Sequence, residues 1–580
     1  MQQISLNGAW QLAFTMPDGT QMDIPAQVPG NVELDLARAG LVGNTIPVDC
    51  EYPERWVESI DWCYHRTFTM DEMPADGQEV LLRFGGIDTV ADVLLNGILL
   101  GHCENMFVPQ IFDASRALKA GENTVEVRIT APEIAARRHP LPPRTASNTS
   151  GASIYMRKAR HHWGWDNAPR RLTSGLWREV TLEFPPAIRF TDVYAYTEKV
   201  DTAAGEAEIG CTFSFTTPER SLEGYQVLLK LEKDGRTVLE KRRNILFTSV
   251  FMRELKVTGV KFWWPAGYGD PELYDFSLTL YRNGEAVAEH RHQMGIRRFL
   301  LDRTETTTPE GSGEFQLYCN NVKIYIRGTN WKPLSPFPSE TPAKLERALA
   351  LLEECNCNLV RVWGGGVYED REFFQWCDRR GMMIWQDFML ACEFPPSDDF
   401  YLEAVRREAE TVVKSFRNHP SLALWCGDNE CDDIITWGNL SQRNLLPSMN
   451  RITRQVLPQV IADLDPARDF LPSSPYLADE ILTVKRTCDD PVNILNNAPE
   501  QHVYCKEITK GGFREYFRRS AAHLISETGP FYINAISETP EILALEMPRM
   551  KRLWNMPEEK VGGDSGGNHQ SDLYCATWIK

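Results

Sequence analysis

The sequence predicts two β-sandwiches followed by a (β/α)8 TIM barrel. Three observations carry that reading. Residues 1–298 hold short alternating runs broken by Asn-Gly and Asp-Gly pairs, the pattern of antiparallel strands joined by tight turns. From about residue 315 strand-like runs alternate with helical stripes, as parallel βα units do. Successive runs there end on a polar or aromatic group: Asn330 and Trp331, Trp363, Asp387, then Asn429 and Glu430. In a barrel such strand ends share one rim, where that fold keeps its active sites.

Residues 1–185 read as the first sandwich. Runs 80–84 and 91–100 are strands, the second folded at Asn96-Gly97, a type I′ hairpin signal. Val125, Val127 and Ile129 alternate with polar residues, as on a half-buried strand. Segment 155–169 is different: it packs aromatic and imidazole groups among Arg157, Lys158 and Arg160. That mixture suits a loop that stacks on a sugar face better than it suits a core. Residues 186–298 form the second unit. Run 227–233 precedes Asp234-Gly235, and Phe276, Leu278 and Leu280 precede Asn283-Gly284. Hairpins at this spacing fit an immunoglobulin-like sandwich. It carries no evident chemistry and reads as a spacer.

Residues 299–580 form the third unit. The first strand, 323–331, is followed by a helix opening at Thr341-Pro342 with Leu345, Leu349 and Leu352 on one face. Strand 359–363 leads to a helix through Phe373, Phe374 and Trp376, and strand 383–387 follows. Leu402, Val405, Ala409, Val412, Val413 and Phe416 then make a helical stripe. The fourth strand is expected to run to Glu430. Later strands fall at 470–474, 502–505 and 523–527, which puts Glu527 on the seventh. No eighth strand is identified in residues 528–580, so the barrel reads as incomplete at its C-terminal end.

Composition narrows the function. A formal charge of −18 argues against nucleic acid or an anionic membrane, because both demand a basic footprint. No run approaches the length of a membrane span. The first ten residues lack a basic segment followed by an apolar one. Fourteen scattered cysteines, several inside apolar runs, suit a reducing compartment, and the expectation is a cytoplasmic protein. Cys355 and Cys357 have no partners at zinc-ligand spacing. With no phosphate loop or dinucleotide fingerprint either, neither a metal nor a cofactor is expected.

Glu430 and Glu527 each close an apolar run inside the barrel-like stretch. Two carboxylates facing one another across a sugar are what glycoside hydrolysis requires. The surrounding motifs point the same way. They are Pro29-Gly-Asn31, Asp92-Val-Leu-Leu-Asn-Gly97, His162-Trp-Gly-Trp-Asp166, Gly175-Leu-Trp-Arg178, Arg327-Gly-Thr-Asn-Trp331, Arg361-Val-Trp-Gly-Gly-Gly366, Trp385-Gln-Asp-Phe388, Trp425-Cys-Gly-Asp-Asn-Glu430 and Ser526-Glu-Thr-Gly529. This ordered set resembles the β-mannosidase branch of glycoside hydrolase family 2.

The resemblance implies a jelly-roll sandwich of the sugar-binding type, an immunoglobulin-like sandwich and a TIM barrel. It implies a retaining hydrolase of terminal, non-reducing β-D-mannosyl residues, with a carbohydrate partner and no assigned oligomeric state. Glu430 matches the acid/base, Glu527 the nucleophile and Asn429 the residue that bonds the sugar 2-hydroxyl. Trp165 and Asp166 match a loop inserted into the sugar pocket, and Trp363, Asp387 and Tyr504 match other pocket residues. The chain departs from the family pattern at Asn167, Asp428 and Thr528. An exo-β-D-glucosaminidase is the nearest alternative, with Asp166 or Asp428 meeting the amino group. A truncated, non-catalytic carbohydrate-binding protein is the other.

Overall fold

A computed structural model describes residues 2–43, 55–75, 77–165, 170–305, 314–436, 444–481, 498–504 and 522–529. The first core belongs to antiparallel sheets of four and six strands, whose inward residues include Trp10, Leu82, Val93, Val127 and Leu182. The hairpin anticipated at Asn96-Gly97 is present: strands Ala91–Leu95 and Ile98–Cys103 pair across it, with both turn residues at positive φ. A second core lies between sheets of three and four strands and centres on Ile209, Val227, Leu229, Phe276 and Leu278.

The remaining part is parallel. We number its strands β1 (Gly328–Trp331), β2 (Leu359–Val362), β3 (Met383–Asp387), β4 (Leu422–Cys426), β5 (Phe470–Leu471), β6 (Glu500–Tyr504) and β7 (Leu524–Gly529). Strands β1 to β5 form one parallel sheet in sequence order, and β6 pairs with β7 in another. Every residue of β2, β3 and β4 is buried, as expected where a parallel sheet is covered on both faces. Helices α1 (Thr341–Glu354), α2 (Arg371–Arg380), α3 (Asp399–Phe416) and α4 (Leu457–Leu464) supply outer cover. On α3 the residues turned inward are Leu402, Val405, Ala409, Val412 and Val413. Helix α2 stops at Gly381, whose φ of 67° is the left-handed cap that glycine adopts without penalty.

Segment 155–165 is more deeply buried than a sugar-stacking loop requires. Its cations are consumed by buried carboxylates. Arg157 makes a two-point pair with Glu408 of α3 at 2.7 and 2.8 Å, Arg160 another with Glu393 at 2.6 and 3.0 Å, and Lys158 meets Asp88 at 2.5 Å. All six groups are buried. Ala146–Ser147 also pairs antiparallel with Glu393–Phe394. The mixture is buried because its partners are remote in sequence: Asp88 lies 70 residues from Lys158, Glu393 233 from Arg160 and Glu408 251 from Arg157. Among the described residues, His161 bonds the Gly365 carbonyl beyond β2 at 3.0 Å, and Trp165 packs on the Trp363 ring.

Candidate active site

Glu430 does not sit on the fourth strand, contrary to expectation. Strand β4 ends at Cys426, and the chain turns at Gly427, where a Cβ would lie 2.1 Å from the Pro472 carbonyl oxygen. Asn429 is then held by single bridges to Ala391 and Ser474, and Glu430 takes a φ of 59°. This left-handed backbone is uncommon for a residue without a special reason to adopt it. The sequence motif located the glutamate; the tight turn that presents it was not legible as anything but strand.

Opposite, Glu527 lies on β7, and His502 of β6 stands between the two. Nδ1 of His502 is 2.8 Å from Glu430 Oε1 and 3.6 Å from Glu527 Oε2. One carboxylate oxygen of each glutamate and the imidazole nitrogen all lie within 4.8 Å of one another. Both carboxyls and the imidazole are nearly closed to solvent.

Arg361 of β2 ties the remaining groups together. Its guanidinium donates to Glu527 Oε2 at 3.1 Å, to Asn429 Oδ1 at 3.0 Å and to Asn330 Oδ1 at 3.3 Å. It also forks onto Asp387 at 2.8 and 3.3 Å. Asp387 additionally accepts from the Gly364 N–H at 3.0 Å and Trp385 Nε1 at 2.9 Å. Burial pushes the Asp387 carboxyl up to about 6 against the pull of these donors. It is therefore an anion at neutral pH and answers Arg361 as one.

Trp363 is buried, and Trp165 meets its ring edge-on at 5.0 Å between centroids. Asp166 and the side chain of Tyr504 lie outside the described residues. Asp428 is buried, its Oδ1 accepting from Ser473 Oγ at 2.5 Å and the Cys431 N–H at 3.1 Å. Between β1 and β7 opens a cavity of about 440 Å³ lined by Gly328, Asn330, Arg361, Trp385, Ser526 and Glu527, among others. Asn330 Nδ2 donates to the Ser526 carbonyl at 3.2 Å across it.

Three members of the site escaped sequence reasoning: Arg361, His502 and Cys392. Each sits in a run that reads as strand or turn, and only the arginine inside an otherwise apolar β2 carried a signal. A cation buried on a central strand demands anionic partners.

The electrostatics of His502 give the first testable consequence. Burial lowers its pKa, but the charge of Glu527 and the hydrogen bond to Glu430 outweigh it, leaving the imidazole above its usual value of 6.5. When charged, Nδ1–H serves Glu430 and Nε2–H faces Ser474 Oγ at 3.1 Å, whose own proton goes to Glu500, while the Arg361 guanidinium 3.3 Å from Nε2 opposes the charge. A group whose pKa rises on folding binds its proton more tightly in the folded state. Its stabilisation is complete below about 6.5 and is lost as pH climbs through the raised value. His502→Gln is therefore expected to cost more stability at pH 6 than at pH 8.5. Denaturant melts at the two pH values check this, and an equal cost at both would refute it.

Residues 10–178 match the family model described as glycosyl hydrolase 2 galactose-binding domain-like, and residues 188–297 match the one described as glycosyl hydrolases family 2. The β-mannosidase B of Thermothelomyces thermophilus is 32% identical over 491 residues, 82% of this chain and 56% of the relative. The β-D-mannosidase structure from Dictyoglomus thermophilum superposes with a TM-score of 0.74 at 31% identity, over 87% of this chain and 60% of that one.

The chain belongs to glycoside hydrolase family 2, in its β-mannosidase branch. A β-glucuronidase of Bacteroides uniformis shares the fold alone, at a TM-score of 0.63 and 16% identity. The two family-2 models stop at residue 297, whereas the match to the Dictyoglomus structure takes in much of the parallel unit as well. This family-2 chain spans a little over half the length of the fungal relative. Among its described residues no helix is long and apolar enough to cross a membrane.

Proposed function

We propose that this chain carries the catalytic centre of a retaining exo-glycosidase that removes terminal non-reducing β-D-mannosyl residues by double displacement. The observation that carries the reading is the pair of carboxylates, with one oxygen of Glu430 and one of Glu527 within 4.8 Å. Retaining enzymes hold their carboxyl groups about 5 to 5.5 Å apart, and inverting ones leave roughly 6.5 to 9.5 Å for a water. With one oxygen of each carboxyl this near the other, the pair favours the shorter separation and direct attack by a carboxylate on the anomeric carbon.

In this reading Glu527 is the nucleophile, kept ionised and oriented by Arg361. Glu430 donates the proton to the leaving oxygen and later takes one from water. Asn429, held through its Oδ1 by Arg361, presents its amide toward the sugar 2-hydroxyl. Trp165 and Trp363 form the apolar wall, with Asp166 and Tyr504 as further pocket residues. Asp387 contributes through Arg361, since its own oxygens are already engaged. Strands β1 to β7 are read as seven strands of a (β/α)8 barrel, over residues 299–580, behind a jelly roll at 1–185 and an immunoglobulin-like sandwich at 186–298.

Chromogenic substrates test the reading. The chain is expected to hydrolyse 4-nitrophenyl β-D-mannoside, and NMR is expected to show β-mannose as the first product. Preference for the β-D-glucosaminide would favour the alternative. Turnover of neither would leave only carbohydrate binding.

A further inference from the structure

The mechanism above makes no use of Cys392, a buried cysteine whose Sγ lies 3.0 Å from Glu430 Oε2. We propose that the Cys392 thiol is a positioning residue for the acid/base carboxyl, and that the first β-domain holds it in place. The inference rests on the assignment of Glu430 given above.

The two oxygens of Glu430 have different partners: His502 serves Oε1 and the thiol serves Oε2. A thiol donates weakly to a carboxylate and accepts weakly from a carboxylic acid. The contact therefore survives both protonation states through which an acid/base must pass. Burial and the charge of Glu430 push the thiol well above its usual range, so it remains S–H. The titratable groups that bear on it are Glu430, Cys431 and Glu527, with the Asn429 amide 3.7 Å from the sulfur.

The backbone is arranged to bring the sulfur there. Cys392 sits at φ 46°, in the left-handed region, as Glu430 does at 59°. Its N–H donates to the Asn429 carbonyl at 2.8 Å, and its own carbonyl accepts from the Asn148 N–H at 3.0 Å. The next two residues, Glu393 and Phe394, are the ones that pair with Ser147 and Ala146, and Glu393 is gripped by Arg160. The segment carrying the thiol is thus fastened on one side to the acid/base turn and on the other to the first domain.

The test compares Cys392→Ala with Cys392→Ser in the full chain. A misplaced general acid matters most when the leaving group is a poor one. General acid catalysis is worth about 10² to 10⁴-fold, so partial misplacement should cost roughly tenfold. Cys392→Ala is expected to raise the kcat/KM ratio of an activated aryl mannoside to an alkyl mannoside about tenfold, and Cys392→Ser to restore it. Arg160→Lys, which keeps the charge but loses the two-point grip, is expected to raise the ratio by an intermediate factor. A purely structural role would lower both substrates together, and that result would overturn the proposal. An unchanged ratio in Arg160→Lys would overturn its first-domain half.

A second readout needs no turnover. Losing the thiol leaves the Glu430 charge less compensated, so the imidazole NMR titration of His502 is expected to move upward in Cys392→Ala and back in Cys392→Ser. A titration that does not move overturns the proposal even if the chain hydrolyses nothing. An inactive wild-type chain whose His502 titration still responds would instead refute only the proposed function.

Discussion

Glu527→Gln is expected to abolish turnover of every mannoside, activated aryl substrates included, by on the order of 10⁴-fold or more. Loss of a covalent nucleophile leaves only residual binding and electrostatic catalysis. The nearest other carboxylate on the Arg361 guanidinium, Asp387, has its oxygens taken up by Arg361, the Gly364 N–H and Trp385. Glu430→Ala should behave differently. It should still form the glycosyl-enzyme from a dinitrophenyl mannoside, because that leaving group needs no proton. Breakdown should then be slow, giving a burst, and added azide should rescue it as the mannosyl azide. Pre-steady-state absorbance reads both variants. A burst in Glu527→Gln and none in Glu430→Ala would exchange the two roles.

The second large effect is expected at Arg361. Arg361→Met removes the counter-charge from two buried carboxylates, Asp387 and Glu527. Breaking a buried ion pair from one side typically costs about 3–5 kcal/mol, because it strands the partner in a medium that cannot solvate it. Calorimetry should show that loss, and Asp387→Asn in the same chain should recover part of it by removing the stranded charge. Activity should not recover with it, since Glu527 and Asn429 still lack their donor. A cost below about 1 kcal/mol would mean that water reaches these groups more freely than their burial implies.

How much of this the sequence disclosed depends on the range over which each interaction acts. The Asn96-Gly97 hairpin and the α3 stripe are written within a few residues, and both were legible. The glutamates were legible because each closes an apolar run. The turn after β4 was not, since Gly427 looks like any small residue until the Pro472 carbonyl is seen pressed against it. Arg361 was hidden by the burial of both faces of β2, which erases the alternation that normally reports direction. The partners of the cations at 157–160 were the least legible feature. Nothing local in the sequence could reveal that Glu393 and Glu408 are waiting for them.

Those two pairs bear on modularity. A β-sandwich joined to an α/β unit invites the idea that each could be exchanged, expressed alone or recombined with a cousin. Here the boundary runs through Arg157–Glu408 and Arg160–Glu393, both buried. Separation would take Arg160 from Glu393 and Arg157 from Glu408, leaving Glu408 the Tyr368 hydroxyl and opening both carboxylates to water. A foreign sandwich would have to supply two arginines at matching positions and a strand to pair with Glu393–Phe394. The α/β unit and the first domain are therefore coupled through charge: a change at either arginine is expected to need a matching change at its carboxylate.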